Sequence, residues 1–232
     1  MRRRYLFLFL IPLAMLVGWG PVFKSNEPLP QTALSWVGQE ISTLNTQASN
    51  LDPLVLKRSL EAYVNARHKG LDRKGLLTII DYSKPSNERR LWVLDLNTNK
   101  ILFNTWVSHG KNSGQVNATS FSNQPGSLKS SIGVFETEQT YMGGKGLSLR
   151  LNGLEKGVND NALRRDIVIH GAWYVQPSLI HQYAHVGRSW GCPALSPKLV
   201  GPIINTIKNN TLVVVYYPDQ KWLKSSSFLA TV

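Results

Sequence analysis

Cysteine is almost missing from this sequence, since its 232 residues include only one, Cys192. A single cysteine excludes an intrachain disulfide. The sequence also lacks an H-E-x-x-H pattern and a phosphate-binding P-loop. With 42% hydrophobic residues the chain can form one sizeable core, and it is too short for two comfortable ones. Composition alone explains Cys192 equally well as a small buried apolar residue or as a reactive thiol.

Acidic residues are also scarce, with 14 Asp and Glu against 26 Lys and Arg, which gives a net charge of +12. This positive excess is spread along the chain and forms no dense basic run, so we do not expect nucleic acid as a partner. A diffuse positive surface suits anionic cell-wall polymers or lipid headgroups, and it equally suits a merely soluble basic surface.

The N-terminus has the pattern of an export segment. Arg2, Arg3 and Arg4 precede an uninterrupted apolar run over residues 5–17. We therefore predict that residues 1–23 are a signal peptide or a signal anchor, with everything that follows outside the cytoplasm. No small-x-small cleavage site follows, which favours an anchor in the membrane but leaves cleavage open. An idle free thiol is a liability in an oxidising compartment, so Cys192 needs a function.

The remaining chain is predicted as one mostly β domain with a few helices. Residues 24–50 are polar and are predicted as a tether, residues 51–218 as the catalytic domain and residues 219–232 as a tail. Asp52 and Pro53 form an N-cap and first-turn pair, and the apolar residues that follow recur at helical spacing, which predicts a helix over 53–68. A second helix is expected over 197–209. Short β-type runs predict strands at 77–82, 90–96, 101–107, 132–137, 147–151, 167–170 and 212–217. Residues 109–130 are predicted as a long loop.

Two residues in the C-terminal half of this domain form a candidate catalytic pair. An apolar run, 167–169, ends in His170, as expected of a buried strand that holds a side chain rigidly at its end. Cys192 follows in a glycine-flanked loop, Gly187–Pro193. An imidazole beside the thiol would take its proton and stabilise the thiolate. Because Pro193 has no N–H, oxyanion donors are expected from Cys192, Gly191 or Trp190.

Two other kinds of site are weighed against this pair. The segment 187–191 also matches the G-x-S-x-G nucleophile elbow, with Ser189 as nucleophile, but that fold needs a later histidine and none follows Ser189. His170, His181 and His185 could bind zinc, but no obvious catalytic carboxylate accompanies them. No metal and no cofactor are therefore expected.

Several motifs resemble one known family. His170-Gly171 followed by Ser189-Trp190-Gly191-Cys192 is similar to the signature of YkuD-like L,D-transpeptidases, in the branch whose motif ends Ser-x-Gly-Cys-Pro-Ala. Further similarity lies at residues 107–110, 121–123, 141–144 and 159–162, so that the resemblance covers roughly residues 75–217. It implies a β-sandwich-like catalytic domain acting on peptidoglycan stem peptides.

The resemblance also implies a mechanism. Cys192 would attack the carbonyl of the third stem residue, a diamino acid, and expel the terminal D-alanine to leave a thioester. His170 would be the base, oriented by a backbone carbonyl near Gly171, and carbapenems would acylate the same sulfur. The acceptor stays open between a stem amine, water in an L,D-carboxypeptidase, and a protein lysine. A non-catalytic peptidoglycan-binding relative is the remaining alternative.

The supporting residues follow from the same motifs. Gly171, Ser189, Trp190 and Gly191 would shape the site around the thiol. Trp190 stands where the commoner motif has a second histidine, and Pro193-Ala194 replaces the region where many relatives carry an Arg or Asn for substrate binding. Arg188 is the nearest candidate to replace that carboxylate contact, although it is equally compatible with a solvated loop charge. His109 is expected either to line the cleft and contact substrate or to lie at the surface. Tyr141 is expected to contact substrate beside a glycine-rich flap at 143–146, although such a turn needs no ligand. The oligomeric state is not determined by the sequence.

Overall fold

The computed structural model describes residues 33–230 of the chain, so the predicted export segment, 1–23, lies outside the described residues. Within them, eight strands form one mixed sheet and five helices pack around it. The predicted mostly β, sandwich-like fold with a few helices is confirmed. The elements are α1 (Ala33–Asn45), α2 (Pro53–His68), β1 (Leu76–Asp81), β2 (Leu91–Asp95), β3 (Lys100–Thr105), β4 (Gly133–Gly143), β5 (Gly146–Gly153), β6 (Val168–Gly171), α3 (Pro177–Tyr183), β7 (Ala194–Leu195), α4 (Pro197–Ile207), β8 (Leu212–Tyr216) and α5 (Gln220–Ser225).

The strand order in the sheet is β3-β2-β1-β8-β4-β5-β6-β7. β1 pairs with β8 and β6 pairs with β7 in parallel, and the other neighbours are antiparallel. β8, in the middle, is buried along its whole length, as its Leu-Val-Val-Val-Tyr sequence requires. The predicted catalytic strand, β6, lies near one edge, where side chains can reach a cleft.

The helix predicted over 53–68 coincides with α2, because its start signal is strong. The Asp52 side chain accepts a hydrogen bond from the Leu54 N–H at 2.7 Å, and Pro53 occupies the first turn. The second predicted helix corresponds to α4, which contains Pro202 in its interior. The loop predicted over 109–130 contains neither a helix nor a strand.

The described part of the predicted tether, residues 33–50, is not a tether. Its α1 helix packs on α2, with the rings of Trp36 and Tyr63 stacked at 5.9 Å. Leu44 and Ala48 are also buried in the core. The apolar side chains of α1 recur at helical spacing between polar residues and form one buried stripe. Burial of this stripe stabilises the helix although the segment contains few apolar residues.

The predicted C-terminal tail also packs on the domain as far as residue 230. Asp219 caps α5 by accepting from the Trp222 N–H at 2.7 Å, and Phe228 and Leu229 are buried. The Trp222 indole N–H donates to the buried carboxylate of Glu155 at 3.0 and 3.1 Å. A charge-assisted hydrogen bond inside the core explains why this short segment is held in place.

Replacing Leu44 with alanine tests whether α1 belongs to the folding unit. Because the side chain is 0% exposed, its truncation leaves a cavity and should lower the free energy of unfolding by about 2–5 kcal/mol. Urea unfolding followed by circular dichroism measures the loss. The control, Gln39→Ala on the exposed face of the same helix, should change stability by no more than about 0.5 kcal/mol. Equal stability of the two variants would contradict the packing of α1.

No helix within residues 33–230 has both the length and the apolar character needed to cross a membrane.

Candidate active site

Strand β6 holds His170 at a fixed position facing a cleft. In the register of β5 and β6, His170 lies opposite Ser148, and Ser148 in turn lies opposite Tyr141 on β4. Residues paired across antiparallel strands point to the same face of the sheet, so these three side chains share one face. The interior of β6 is anchored by Ile169, which is 0% exposed. The side chain of His170 is therefore presented from a rigid element.

A backbone carbonyl fixes the protonation pattern of this histidine. His170 Nδ1 lies 2.9 Å from the carbonyl oxygen of Gly171, and because that oxygen only accepts, Nδ1 carries the proton. Burial lowers the pKa of His170, so the neutral imidazole dominates at neutral pH. Its Nε2 is then an unprotonated base. Gly171, expected as a supporting residue, supplies this contact through its carbonyl.

The loop that carries Cys192 is held by hydrogen bonds to its own Ser189. The Ser189 hydroxyl donates to the carbonyl oxygen of Cys192 at 2.6 Å and accepts from the Gly191 N–H at 3.1 Å. Gly191 has φ +129°, and a Cβ atom there would lie 2.8 Å from the carbonyl oxygen of Lys129. Only glycine fits this position, since a side chain would be both strained and in collision with backbone.

A second backbone segment, residues 108–110, clamps the cysteine loop from the other side. The Ser189 N–H donates to the carbonyl oxygen of His109 at 2.9 Å, and the Ala194 N–H donates to the Ser108 hydroxyl at 3.2 Å. Ser108 N–H donates back to the Ala194 carbonyl at 3.0 Å. Directly across, the His170 N–H donates to the carbonyl oxygen of Pro193 at 3.4 Å. The loop is thus fixed relative to both β6 and the 108–110 segment.

Cys192 and His170 line the same cavity, which has a volume of about 320 Å³. Four other predicted site residues also line it: Tyr141, Arg188, Ser189 and Trp190. The sequence did not single out four further lining residues, namely Lys145, Ser148, Val168 and Tyr174. Ser148 and Val168 lie on the same face of the sheet as His170 because of the strand register. A correct prediction of the β5–β6 pairing would therefore have placed both residues at the site.

The Cys192 thiol is partly exposed and is not hydrogen-bonded to His170 among the contacts of residues 33–230. Its Sγ instead donates to the carbonyl oxygen of Asp166 at 3.4 Å. Burial raises the pKa of the thiol, while the Val168 N–H and the nearby Arg165 guanidinium act in the opposite direction. In the resting site the sulfur is therefore protonated, and it needs a base before it can attack a carbonyl.

Two backbone N–H groups beside the thiol are available as oxyanion donors. The Gly191 N–H, one of the three expected donors, already donates to the Ser189 hydroxyl at 3.1 Å. Within the described chain, the N–H groups of Cys192 and Trp190 have no hydrogen-bond partner. Unpaired donors beside a thiol are suited to stabilise negative charge on the oxygen of a carbonyl that the thiol would attack.

The structure does not bring His109 to the cavity, which corrects its expected role in substrate contact. Its side chain is 0% exposed. The Arg90 Nη2 donates to His109 Nδ1 at 2.8 Å, and His109 Nε2 donates to the Gly114 carbonyl at 3.3 Å. Burial and the adjacent Arg90 lower the pKa of His109 to about 4, so it stays neutral. It supports the 108–110 segment from inside.

Arg188 and Tyr141 lie at the cavity and each has a partner. Arg188 Nη1 donates to the backbone carbonyls of Lys111 at 3.1 Å and Gly114 at 3.3 Å, which hold the exposed side chain at the rim. The guanidinium of Arg150 lies 4.5 Å from the centre of the Tyr141 ring, a cation–π contact. Trp190, 76% exposed, offers a large apolar surface at the same rim.

The residues of the two alternative sites, the serine nucleophile and the zinc site, make other contacts in the structure. Ser189 is 4% exposed and its hydroxyl donates to the Cys192 carbonyl, so it shapes the loop. Within residues 33–230, no three His, Cys, Asp or Glu side chains form a group that could hold a metal ion. The ring of His185 instead contacts the carbonyl of Val186 through Nδ1, at 2.7 Å.

Comparison with known proteins assigns the chain to a family. A model of the L,D-transpeptidase catalytic domain matches residues 47–216. No curated protein matches the chain. Among solved structures, the chain is similar to an L,D-transpeptidase from Mycobacterium smegmatis (14% identity, TM-score 0.38, covering 62% of this chain and 59% of that one). It is also similar to one from Stackebrandtia nassauensis (15%, TM-score 0.37, covering 78% and 77%) and to L,D-transpeptidase 1 from Mycobacterium tuberculosis (13%, TM-score 0.34, covering 62% of each).

The extent of these matches differs. The chain spans about three fifths of the length of the mycobacterial structures. The family match, by contrast, includes well over half of the chain and contains both Cys192 and His170. The chain therefore belongs to the L,D-transpeptidase catalytic domain family.

Proposed function

We propose that this protein is a peptidoglycan L,D-transpeptidase that uses Cys192 as nucleophile and His170 as general base. The observation that carries the proposal is their placement: both side chains line one cavity, and His170 has its Nε2 free because Nδ1 is held by the Gly171 carbonyl. A partly exposed thiol and a neutral imidazole are the two groups that acyl transfer through a thioester requires.

The reaction proceeds in two halves. His170 Nε2 takes the proton of the Cys192 thiol, and the sulfur attacks the carbonyl carbon of the third stem residue. The protonated His170 then gives this proton to the departing nitrogen of D-alanine, leaving a thioester on Cys192. An acceptor amine attacks the thioester, His170 takes the amine proton, and the thiol is restored when the new amide forms. The free N–H groups of Cys192 and Trp190 stabilise the oxyanion in both halves.

The charge of the cavity supports an anionic donor. Among residues 33–230, Lys145 and Arg188 are the only charged side chains that line it, and both are positive. A stem peptide presents carboxylates on its diamino acid and on its terminal D-alanine, so a positive cavity favours its binding. Exposed aromatic surface from Trp190 adds an apolar contact at the rim.

Mass spectrometry of muropeptides tests the function directly. Incubation of the purified protein with tetrapeptide muropeptides should release D-alanine and yield a dimer one D-alanine lighter than its two parts. Release without a dimer would instead indicate water as the acceptor. A carbapenem should add its mass once to the intact protein, on Cys192. Folded protein that gives neither new muropeptides nor an adduct would exclude the proposed activity.

Removal of the Lys145 charge should weaken donor binding without changing the chemistry. Lys145 is exposed on the flap and, within the described chain, has no ion pair or hydrogen bond, so its charge is available to a substrate carboxylate. We expect Lys145→Ala to raise the KM for donor muropeptide about 3–10-fold with kcat within about twofold, because it removes one solvent-exposed hydrogen bond worth about 0.5–1.5 kcal/mol. Steady-state kinetics check this.

The matched control removes a lysine far from the cavity. Lys221→Ala, on α5, takes away the same net charge from another exposed surface and should leave KM unchanged. An equal rise in KM for both variants would indicate a general effect of net charge, and the assignment of Lys145 to the donor would then be wrong.

We further propose that the enzyme works outside the cytoplasm, exported by residues 1–23. The support is the sequence of this segment, three arginines followed by an apolar run, together with a substrate that lies in the cell envelope. A fusion of residues 1–50 to alkaline phosphatase, which is active only after export, should be active in bacteria. An inactive fusion would count against export.

A further inference from the structure

Arg165 is a half-buried cation without an acidic partner in the described part of the chain. Among the described residues its guanidinium donates only to neutral oxygens: the carbonyl of Lys129 at 2.7 Å, the hydroxyl of Ser127 at 3.2 Å, and also the carbonyl of Ser122 and the hydroxyl of Ser131. Burial lowers the pKa of Arg165, which reflects the cost of removing the charge from water. Such a charge is free to interact with an anion nearby.

The guanidinium lies directly behind the cysteine loop. A Cβ atom on Gly191 would stand 3.6 Å from Arg165 Nη2. The same position is 2.8 Å from the Lys129 carbonyl that this nitrogen binds. The residue after Arg165, Asp166, places its carbonyl oxygen 3.4 Å from the Cys192 sulfur. The Arg165–Asp166 segment therefore adjoins both the loop and the thiol itself.

The other groups around the thiol do not supply this charge. The Asp166 carboxylate opposes a thiolate, although it is 83% exposed and lies 3.7 Å from the Arg150 guanidinium. Burial opposes the thiolate too, and the Val168 N–H favours it. Among residues 33–230, the remaining titratable groups near the sulfur are Tyr82, Tyr141, Tyr174, His170, Lys145 and Arg188. Of these cations, Arg165 is the one that lowers the pKa of the Cys192 thiol, and among residues 33–230 no carboxylate pairs with its guanidinium.

We propose that Arg165 is an electrostatic positioning residue that stabilises the Cys192 thiolate from behind the loop. His170 takes the proton from the front, and Arg165 stabilises the negative charge that remains on the sulfur. This inference rests on the proposed function, in which Cys192 is the nucleophile. The hydrogen bonds of Arg165 to residues 122–131 hold its guanidinium in place, so the positive charge is present before the substrate binds.

The pH dependence of Cys192 alkylation tests the proposal without any substrate. Cys192 is the only cysteine, so the mass added by iodoacetamide reports on one thiol. Arg165→Gln should displace the rate profile to higher pH and slow alkylation at pH 7.5 about 5–10-fold, since each pKa unit changes the thiolate fraction about tenfold. The control, Arg164→Gln, removes the same charge from the exposed neighbour and should alkylate within about twofold of the wild type.

A lysine variant separates charge from loop structure. Arg165→Lys keeps the charge but not the forked hydrogen bonds, and it should alkylate within about threefold of the wild type. An Arg165→Gln profile that coincides with the wild type, or a lysine variant as slow as the glutamine variant, would overturn the proposal. If circular dichroism shows that Arg165→Gln is unfolded, the lysine variant decides alone, and a tenfold slowing overturns it.

Muropeptide turnover by the wild type, measured in parallel, keeps the two proposals apart. An unshifted alkylation profile in the Arg165→Gln variant of an active enzyme removes only the role of Arg165. A shifted profile in a protein whose wild type does not turn over muropeptides removes only the proposed function.

Discussion

Cys192→Ala should abolish both muropeptide turnover and the carbapenem adduct, because it removes the sulfur that would form the thioester. The fold should persist, since the side chain is partly exposed at the cavity and the loop is held mainly by backbone and Ser189 contacts. Release of D-alanine measured by mass spectrometry should fall to the uncatalysed level. Thermal unfolding monitored by circular dichroism should differ little from the wild type.

The control for this variant is Ser189→Ala, three residues away in the same loop. It removes the hydroxyl that bonds the Cys192 carbonyl at 2.6 Å but leaves the thiol, so it should retain measurable adduct formation and show a lower unfolding temperature. A Cys192→Ala protein that still turns over muropeptides would disprove the assignment of the nucleophile. An inactive Cys192→Ala protein beside an active Ser189→Ala protein also separates this mechanism from the serine-nucleophile alternative.

The regular elements of the fold were largely predictable from local sequence signals. The helix at 53–68 has a complete start signal, and the strands have β-branched runs between turn residues. α1 was missed because its buried side chains, such as Trp36 and Leu44, are separated by polar residues. α5 is only six residues long and depends on the distant Glu155, so no local pattern reveals it.

That His170 and Cys192 would line one cavity was more predictable than the shape of that cavity. His170 and Cys192 stand out by residue type and by their positions at a strand end and in a glycine-flanked loop. Lys145 and Tyr174 reach the cavity from a hairpin tip and from the segment after β6, and this convergence is a product of tertiary packing. The burial of His109 was equally unpredictable, because no periodicity in its loop indicates which way its side chain points.

His170→Ala should slow acylation of Cys192 by a factor on the order of 10²–10⁴, the usual contribution of a positioned general base. The pH profile should change as well. In the wild type the rate rises as His170 loses its proton, below the range of an ordinary histidine because burial lowers its pKa. Without the imidazole the rate should follow ionisation of the thiol, whose pKa burial raises, so activity should increase steadily into the alkaline range. Stopped-flow acylation by a carbapenem measures both effects.

His181→Ala is the matched control, since it removes an exposed histidine on α3 that does not line the cavity. Its acylation rate and pH profile should both match the wild type. A His170→Ala enzyme that keeps the wild-type pH profile with a merely lower rate would indicate a structural role for this side chain, and another group would then have to take the thiol proton. No other imidazole lines the cavity among residues 33–230, so the change in profile is the result that distinguishes a base from a packing residue.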